Sequence, residues 1–155
     1  MIITAVCGTD IEVDPEDWIY LRLYSWQILT TKCGKQYARR TEKLKGKSRT
    51  LLMHRQIMKP DYGFVVDHIN GDTLNNRRFN LRICTQSQNL YNRRTPRTKG
   101  VGFHKGSRRF RAYINVDKRP ITLGYFKTVE EAIESYNQAA LKYHGEYAVQ
   151  NRVEE

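Results

Sequence analysis

Residues 64–84 read FVVDHINGDTLNNRRFNLRIC. The apolar runs at the two ends of this stretch have the length and the β-branched content of short strands. The residues between them are rich in Asn, Asp and Gly, which favour tight loops closed by side-chain-to-backbone hydrogen bonds. Thr85 to Gln88 then have the capping-box pattern of a helix start. The sequence therefore predicts strand, loop, strand and helix, with Asp67 and His68 at the end of the first strand and Asn89 on the helix.

The whole chain is short and basic. It has 155 residues, 39% of them hydrophobic, with 27 Lys and Arg against 16 Asp and Glu, a net charge of +11 and a pI near 9.7. This length excludes a large multi-domain enzyme, and the charge predicts a polyanionic partner, with DNA, RNA and anionic lipid all open at this point. Because no run of eighteen apolar residues and no signal-peptide pattern occurs, we expect an intracellular protein without a membrane partner.

The positive charge is concentrated in the middle of the chain. No acidic residue lies between Arg77 and Arg111, although this segment contains many Arg and Lys residues. A solvated helix face would mix the two signs of charge. The segment is therefore predicted to face phosphates.

The first sixty residues predict a helix followed by a small sheet. Asp14 and Pro15 have the pattern of a helix start, and the helix is expected to run to about Ser25. Three strands are predicted over residues 26–31, 36–40 and 50–54. A further helix is predicted over residues 55–59, where Pro60 stops it.

The C-terminal third has a different period. Residues 95–100 lack apolar periodicity and contain Pro and Gly, as linkers do. From Arg109 to Val116 apolar residues alternate with basic and aromatic ones, which predicts a two-faced strand. A helix capped by Thr128 is expected to end at Gly145. Residues 99–127 hold eight basic residues and one acid, whereas residues 128–155 hold two basic residues and six acids. The helix is therefore expected to cover the apolar face of the sheet and leave the basic face exposed.

The cysteines argue against two kinds of site. Cys7, Cys33 and Cys84 are odd in number and widely spaced, with no C-x-x-C pair. This pattern predicts reduced thiols rather than a disulfide framework or a four-thiolate zinc site.

The densest set of reactive side chains comprises Asp67, His68, Asn80 and Asn89. The strings VDHINGD, from residue 66, and NRRFNLR, from residue 76, resemble the motif of HNH endonucleases in the form that phage and intron-encoded homing enzymes carry. The resemblance covers residues 51–94. It implies that His68 is the general base, that Asp67 and Asn89 hold one divalent ion, Mg²⁺ or Mn²⁺, and that Asn80 ties the loop to the backbone. The last motif position of this family is often His, and here it is Asn89.

Each of these residues also has a simpler interpretation. A bare Asp-His pair in such a turn is more often an Asx turn beside an exposed imidazole. The spacing and the strand-loop-strand-helix context favour nuclease chemistry. His54 has two interpretations: a partly buried histidine whose hydrogen bonds are satisfied, or a residue that supports the side chains of the candidate site. The first is favoured.

The C-terminal residues carry a second resemblance. The matching segments are residues 100–103, 110–114, 123–126, 128–133 and 136–145. They look like the DNA-binding domain of plant APETALA and ethylene-response factors, in which a three-stranded sheet enters the major groove. That pattern has tryptophans near Gly106 and Thr122 that this sequence lacks, so the plant target sequence is not carried over.

The residues expected to contact DNA are Arg77, Arg78, Arg82, Arg93 and Arg94 in the nuclease region, and His104, Lys105, Arg109, Arg111, Tyr113, Arg119 and Thr122 on the C-terminal sheet. The C-terminal residues of this set are predicted to lie on the strands of the sheet.

Together these observations predict an α+β protein. The expected segments are an N-terminal helix and hairpin region over 1–50, a ββα-metal nuclease core over 51–95, a linker over 96–99 and a DNA-binding domain over 100–151. The expected function is site-specific cleavage of double-stranded DNA by a monomer, with a divalent ion, no structural zinc and no small-molecule substrate. The alternative is a sequence-specific DNA-binding regulator whose HNH core does not cleave. An RNA-binding module is less favoured because Tyr113 alone clearly qualifies as a stacking aromatic on the sheet.

Overall fold

Small antiparallel sheets and short helices alternate along the chain. The computed structural model describes residues 1–93 and 98–152, so Arg94 and positions 96 and 97 of the expected linker lie outside the described residues. The chain divides into two compact units, Met1–Thr85 and Gln86–Glu155. The mixture of helices with separate antiparallel sheets confirms the α+β class. No helix in the described ranges is long and apolar enough to span a membrane.

The first unit opens with a hairpin that the sequence did not predict. Strands β1 (Ile2–Thr4) and β2 (Asp10–Glu12) pair antiparallel. Helix α1 (Pro15–Leu21) follows, with Pro15 in its first turn. The prediction that this helix reaches Ser25 is wrong. Trp26, which is fully buried, donates its indole N–H to the Leu21 carbonyl at 2.9 Å, so its side chain caps the helix end.

A three-stranded sheet comes next. Its strands are β3 (Gln27–Thr30), β4 (Gln36–Leu44) and β5 (Lys47–Leu52), in that order. The hairpin predicted between β3 and β4 is confirmed, but β5 begins and ends earlier than predicted. Lys45 and Gly46 form the two-residue turn before it, both with positive φ (48° and 77°), the conformation that tight hairpin turns require. His54 therefore lies in a helix, not in a strand.

That helix, α2 (Met53–Met58), leads to the hairpin of the candidate site. It ends at Lys59 in the left-handed conformation, just before Pro60. Strands β6 (Val65–His68) and β7 (Leu81–Cys84) then pair antiparallel, as predicted. The interior of the unit is apolar and includes the buried side chains Ile11, Val13, Leu21, Trp26, Met53, Ile57, Val66 and Leu81. All three cysteines are free thiols.

The second unit begins with α3 (Gln86–Tyr91). Its sheet contains β8 (Val101–His104), β9 (Arg109–Val116) and β10 (Arg119–Phe126), with β9 in the centre. Helix α4 (Val129–His144) follows, with Thr128 as its N-cap and its end at Gly145, both as predicted, and with Glu131 completing a capping box. The boundary between the two units lies between Thr85 and Gln86, inside the range of residues 51–95 predicted for the nuclease core.

Helix α4 covers one face of this sheet. Ala112 and Ile114 of β9 are buried, and Ile114 packs with Tyr136 and Ala140 of the helix. Gly100 has φ +68°, and a Cβ there would lie 2.3 Å from the Tyr113 carbonyl oxygen and from the Tyr136 ring. Glycine is therefore required where the chain enters the sheet.

Helix α3 is fixed to the same unit. Lys99 donates from Nζ to the carbonyls of Leu90, Tyr91 and Arg93 at 3.4, 2.6 and 3.1 Å. Tyr91 stacks on the His144 ring with centroids 3.8 Å apart and planes 7° from parallel. These contacts satisfy carbonyls near the helix end and hold the helix against the C-terminal helix.

Candidate active site

The β6–β7 hairpin places Asp67 and His68 at the end of a buried strand. In its register Asp67 lies opposite Arg82, and His68 lies opposite Leu81. Asp67 and His68 are 7% and 4% exposed. Since β6 continues directly into the loop, both side chains are fixed by the sheet on one side and by the loop on the other.

The loop between the strands is closed by its own side chains. Asn70 Oδ1 accepts from the Asp72 amide at 2.8 Å, and Asp72 Oδ1 accepts from the Leu74 amide at 3.0 Å. Thr73 donates its hydroxyl to the Gln36 carbonyl of β4. These bonds are the local reason why Asn and Asp occur here, because they replace the ladder bonds that a loop lacks.

Asn80 joins the two ends of the loop. It is 2% exposed, and its Oδ1 accepts from the Asn70 amide at 3.0 Å. Its Nδ2 donates to the carbonyls of Asn75 at 2.8 Å and Asp72 at 3.5 Å. Every one of these partners is backbone, so Asn80 fixes the path of the loop that follows His68.

Asn76 contacts the His68 imidazole, a role that the sequence analysis missed. It is fully buried, and its Oδ1 lies 3.4 Å from His68 Nε2. Its Nδ2 donates to the Leu74 carbonyl at 3.1 Å, and its backbone N–H donates to the Glu12 carbonyl of β2 at 2.7 Å. The sequence gives no reason to choose Asn76 over its neighbour Asn75, because the contact with His68 depends on the hydrogen bond between the Asn76 backbone and β2.

Asp67 forms a buried ion pair with Arg82. Two guanidinium nitrogens, Nε and Nη2, donate to the same carboxylate oxygen, Oδ2, at 3.0 and 2.9 Å. The Arg82 and Asp67 side chains are 11% and 8% exposed. A buried carboxylate needs such a partner to remain charged. Arg82, which was expected to contact DNA, thus orients Asp67 in this structure.

The protonation state of His68 follows from its surroundings. Burial lowers the pKa of His68 below 6.5, while the Asn76 hydrogen bond and the carboxylates of Asp67 and Asp72 act in the opposite direction. The imidazole is therefore neutral at pH 7. Its ring also faces two other rings, those of His54 at 5.1 Å and Tyr37 at 6.2 Å between centroids.

Arg77 and Arg78 contact β2 and α1 of the same unit. Arg78 donates from Nε and Nη2 to the two carboxylate oxygens of Asp17 at 2.9 and 2.7 Å, and Asp17 is 1% exposed. Arg77 Nε lies 3.5 Å from Glu12 Oε2. The Arg78 side chain is still 49% exposed, so one edge of its guanidinium reaches solvent.

The ligands available for a metal ion are mainly oxygen atoms. Within residues 1–93 and 98–152, no cluster of three or more His, Cys, Asp and Glu side chains could hold an ion. An ion bound through the Asp67 carboxylate would need amide oxygens, water or phosphate oxygens to complete its coordination. Mg²⁺ accepts this kind of partly hydrated site, so the donors fit it. Asn89, the other predicted ligand, lies on α3 in the second unit.

The residues predicted to contact DNA in the second unit occupy all three strands of its sheet and one turn. Arg111 donates from Nη2 to the Thr122 hydroxyl at 2.8 Å, and its guanidinium lies 5.3 Å from the Tyr113 ring centroid. His104 Nδ1 lies 3.0 Å from the Ser107 hydroxyl. Lys105 lies in the turn between β8 and β9 and not on a strand, because β8 ends at His104. The exposed members of the set are His104, Lys105, Arg109, Arg119 and Thr122.

Comparison with known proteins supports the first of the two resemblances. The model of the HNH endonuclease family matches residues 54–91. An uncharacterized HNH endonuclease, L560 of Acanthamoeba polyphaga mimivirus, is 29% identical over 149 residues, which cover 95% of this chain and 77% of the viral protein.

A solved structure that concerns DNA binding and cleavage by the HNH homing endonuclease I-HmuI is also similar to this chain. It is 22% identical, with a TM-score of 0.38 and coverage of 77% of this chain and 75% of the other. A TM-score this low does not establish a shared fold. The family match instead rests on residues 54–91, which begin at His54 and include Asp67, His68, Asn80 and Asn89. This segment of the chain resembles an HNH endonuclease.

Proposed function

We propose that this protein is a site-specific DNA endonuclease of the HNH homing type, which hydrolyses phosphodiester bonds of double-stranded DNA as an intracellular monomer. The observation that carries the proposal is a neutral, buried His68 held by Asn76 and adjacent to Asp67, inside the segment that matches the family. A neutral imidazole at the end of a rigid strand is the state that a general base needs.

The Asn76 contact selects the basic nitrogen of His68. Asn76 Oδ1 can only accept, so this contact favours the tautomer with the proton on Nε2 and the lone pair on Nδ1. In the proposed reaction Nδ1 takes the proton from a water molecule while the oxygen of that water attacks phosphorus and the bond to the leaving oxygen breaks. The charge of the Asp67 carboxylate, which acts to raise the pKa of His68, favours the imidazolium then formed.

Asp67 and Asn89 are the proposed ligands of one divalent ion, Mg²⁺ or Mn²⁺. Such an ion, when bound, would stabilise the negative charge on the phosphoryl group and on the leaving oxygen. Arg82 holds Oδ2 of Asp67 and so fixes the carboxylate plane. Asn80 holds the loop path and thereby the direction of the His68 side chain.

The C-terminal sheet is proposed to bind DNA. Its charge supports this role, because residues 99–127 carry eight basic residues and one acid. Arg109 and Arg119 are exposed, and Arg111 is held by Thr122 with its guanidinium beside an aromatic ring. Arginines oriented in this way can form paired hydrogen bonds with a guanine edge in the major groove.

A regulator that binds DNA without cutting it is the second candidate. One observation favours it: the Asp67 carboxylate is already neutralised by Arg82, which reduces its attraction for a divalent ion. In such a protein the hairpin would be a structural remnant, and the basic sheet would carry the function.

Cleavage of supercoiled plasmid distinguishes the two candidates. The parent protein should nick or linearise a plasmid carrying its target in Mg²⁺ or Mn²⁺ and not in EDTA. His68→Ala should lower the rate by about 10²–10⁴ and leave DNA binding intact, because the base acts in the chemical step and phosphate contacts supply the affinity. Lys142→Ala, on the exposed side of α4, is the control. Binding without cleavage by the parent under all conditions would favour the regulator.

A further inference from the structure

His54 is a buried histidine without a hydrogen bond at Nδ1 in the described structure. It is 6% exposed and is the second residue of α2. A buried polar atom without a partner costs free energy that an apolar side chain of similar size would avoid. Packing alone therefore does not explain why this position holds an imidazole and not an apolar side chain.

The neighbours are two rings from separate strands. The His54 ring meets the His68 ring edge to face, with centroids 5.1 Å apart and planes at 79°. Tyr37 of β4 lies 5.6 Å from His54 and 6.2 Å from His68. Edge-to-face packing is a directional arrangement that aromatic rings prefer. The contact therefore restrains the plane of His68.

Helix α2, which carries His54, is fixed by contacts with other parts of the first unit. Its Gln56 side chain accepts from Arg40 Nε of β4 at 2.9 Å, and Arg55 donates from Nη1 to the Phe64 carbonyl at 3.4 Å. Met53 and Ile57 on the same helix are 0% and 3% exposed. The helix is thus bound to β4, to the residue before β6 and to the interior.

The Asn76 contact and the His54 contact restrain different features of His68. The former lies at 3.4 Å, beyond the usual range of N–H···O bonds, and it acts on one ring nitrogen. Burial together with the nearby His68 and Arg55 lowers the pKa of His54 to about 3. His54 is therefore neutral, and it does not repel the positive charge that the His68 ring acquires when it accepts a proton.

We propose that His54 is a positioning residue for His68: the edge-to-face contact holds the plane of the imidazole, and so keeps Nε2 at the Asn76 oxygen that fixes the tautomer of the base. This inference rests on the proposed function, in which His68 is the base. It assigns a role to the first residue of the family-matched segment that the HNH motif itself does not include.

The test uses two variants that both fill the space of the imidazole. His54→Phe keeps a ring, and His54→Leu keeps apolar volume without one. Single-turnover cleavage by His54→Phe should stay within about threefold of the parent, whereas His54→Leu should be slower by roughly tenfold or more with KM little changed, since misplacement of a reacting group acts on the chemical step. The ¹⁵N shifts of His68 in the DNA-free protein should report one tautomer in the parent and in His54→Phe, and a mixture in His54→Leu.

The outcomes test the proposed function and the positioning role of His54 separately. If the parent does not cleave, the proposed function fails, and the ¹⁵N shifts alone decide whether His54 positions the ring. Equal rates and a single tautomer in all three proteins would overturn the positioning role. Equal loss in both variants would also overturn it, because the ring contact would then not be the feature that matters. A fall in Tm of more than about 8 °C in His54→Leu would make His54 a structural residue and overturn the proposal as well.

Discussion

The arginines of the β6–β7 hairpin and those of the C-terminal sheet differ in what they contact. Arg78 and Arg82 are bound to carboxylates of their own unit, at Asp17 and Asp67. Arg111 is bound instead to the Thr122 hydroxyl and lies beside the Tyr113 ring. A hydroxyl and a ring leave the positive charge of an arginine uncompensated, whereas a carboxylate neutralises it. The two groups therefore suit different tasks.

From the sequence alone, these arginines are expected to have the same task. No acid lies between Arg77 and Arg111 along the chain, and the whole segment was expected to face phosphates. In the fold, acids from elsewhere reach the first part of the segment: Glu12 and Asp17 are more than sixty residues away from their partners. A run without acids along the sequence is thus no guide to its charge in space, unless the residues that pack against it are known.

The largest expected effect separates the two groups by stability. Arg82→Met should destabilise the first unit by about 3–5 kcal/mol, because it leaves the Asp67 carboxylate buried without its partner. Arg111→Met should change the free energy of unfolding by only about 1 kcal/mol, because it removes one hydrogen bond to the Thr122 hydroxyl and no buried ion pair. Thermal and urea unfolding of both variants measure the difference. Equal stability of the two would mean that the Asp67 ion pair does not hold the hairpin together.

The next effect concerns recognition of DNA. Arg111→Ala should reduce the discrimination between the target and a scrambled duplex by about 1–3 kcal/mol if its guanidinium pairs with a guanine edge. Lys142→Ala removes the same charge from the exposed side of α4 and should leave discrimination unchanged. Competition binding at several salt concentrations gives both quantities. Equal weakening on both duplexes, with a shallower salt slope, would assign Arg111 to phosphate contact instead. If the variant matches the parent on every duplex, this face does not bind DNA.

A smaller effect is expected at the proposed metal ligands. Asp67→Asn and Asn89→Ala should each raise the Mg²⁺ concentration for half-maximal cleavage by roughly tenfold, the lower end of the change seen when groups around a metal are altered. Glu134→Gln, an exposed carboxylate of α4, is the matched control and should not shift it. Zinc that stays bound through dialysis against EDTA would contradict the assignment of an oxygen-ligated ion.

What the sequence predicted well were elements with local signals. The β6 and β7 strands, the Thr128 cap and the end of α4 at Gly145 are encoded by neighbouring residues. The β1–β2 hairpin was missed because strands of three residues are too short to display alternation. The end of α1 was misplaced because a tryptophan side chain, and not a local breaker, terminates it.

The candidate site also contains some residues that the sequence identified and others whose roles depend on distant parts of the chain. Asp67, His68 and Asn80 were found because their spacing resembles a known motif. Asn76 was not assigned a role, and for His54 a structural histidine was favoured over a contact near the site. Their contacts with His68 depend on the hydrogen bond between the loop and β2 and on the placement of α2. The contact of Arg82 with Asp67 follows from the strand register, which a motif does not record.

The smallest effect is expected at Arg77, which belongs to neither group fully. Its pairing with Glu12 spans 3.5 Å, and both side chains are more than a third exposed, so solvent screens it. Arg77→Ala should therefore cost at most about 1 kcal/mol of stability. If Arg77 contacts a phosphate, as predicted from its position in the hairpin loop, the same variant should reduce the salt slope of DNA binding by about one. A stability loss with an unchanged slope would place Arg77 with Arg82, as an arginine that serves the fold and not the DNA.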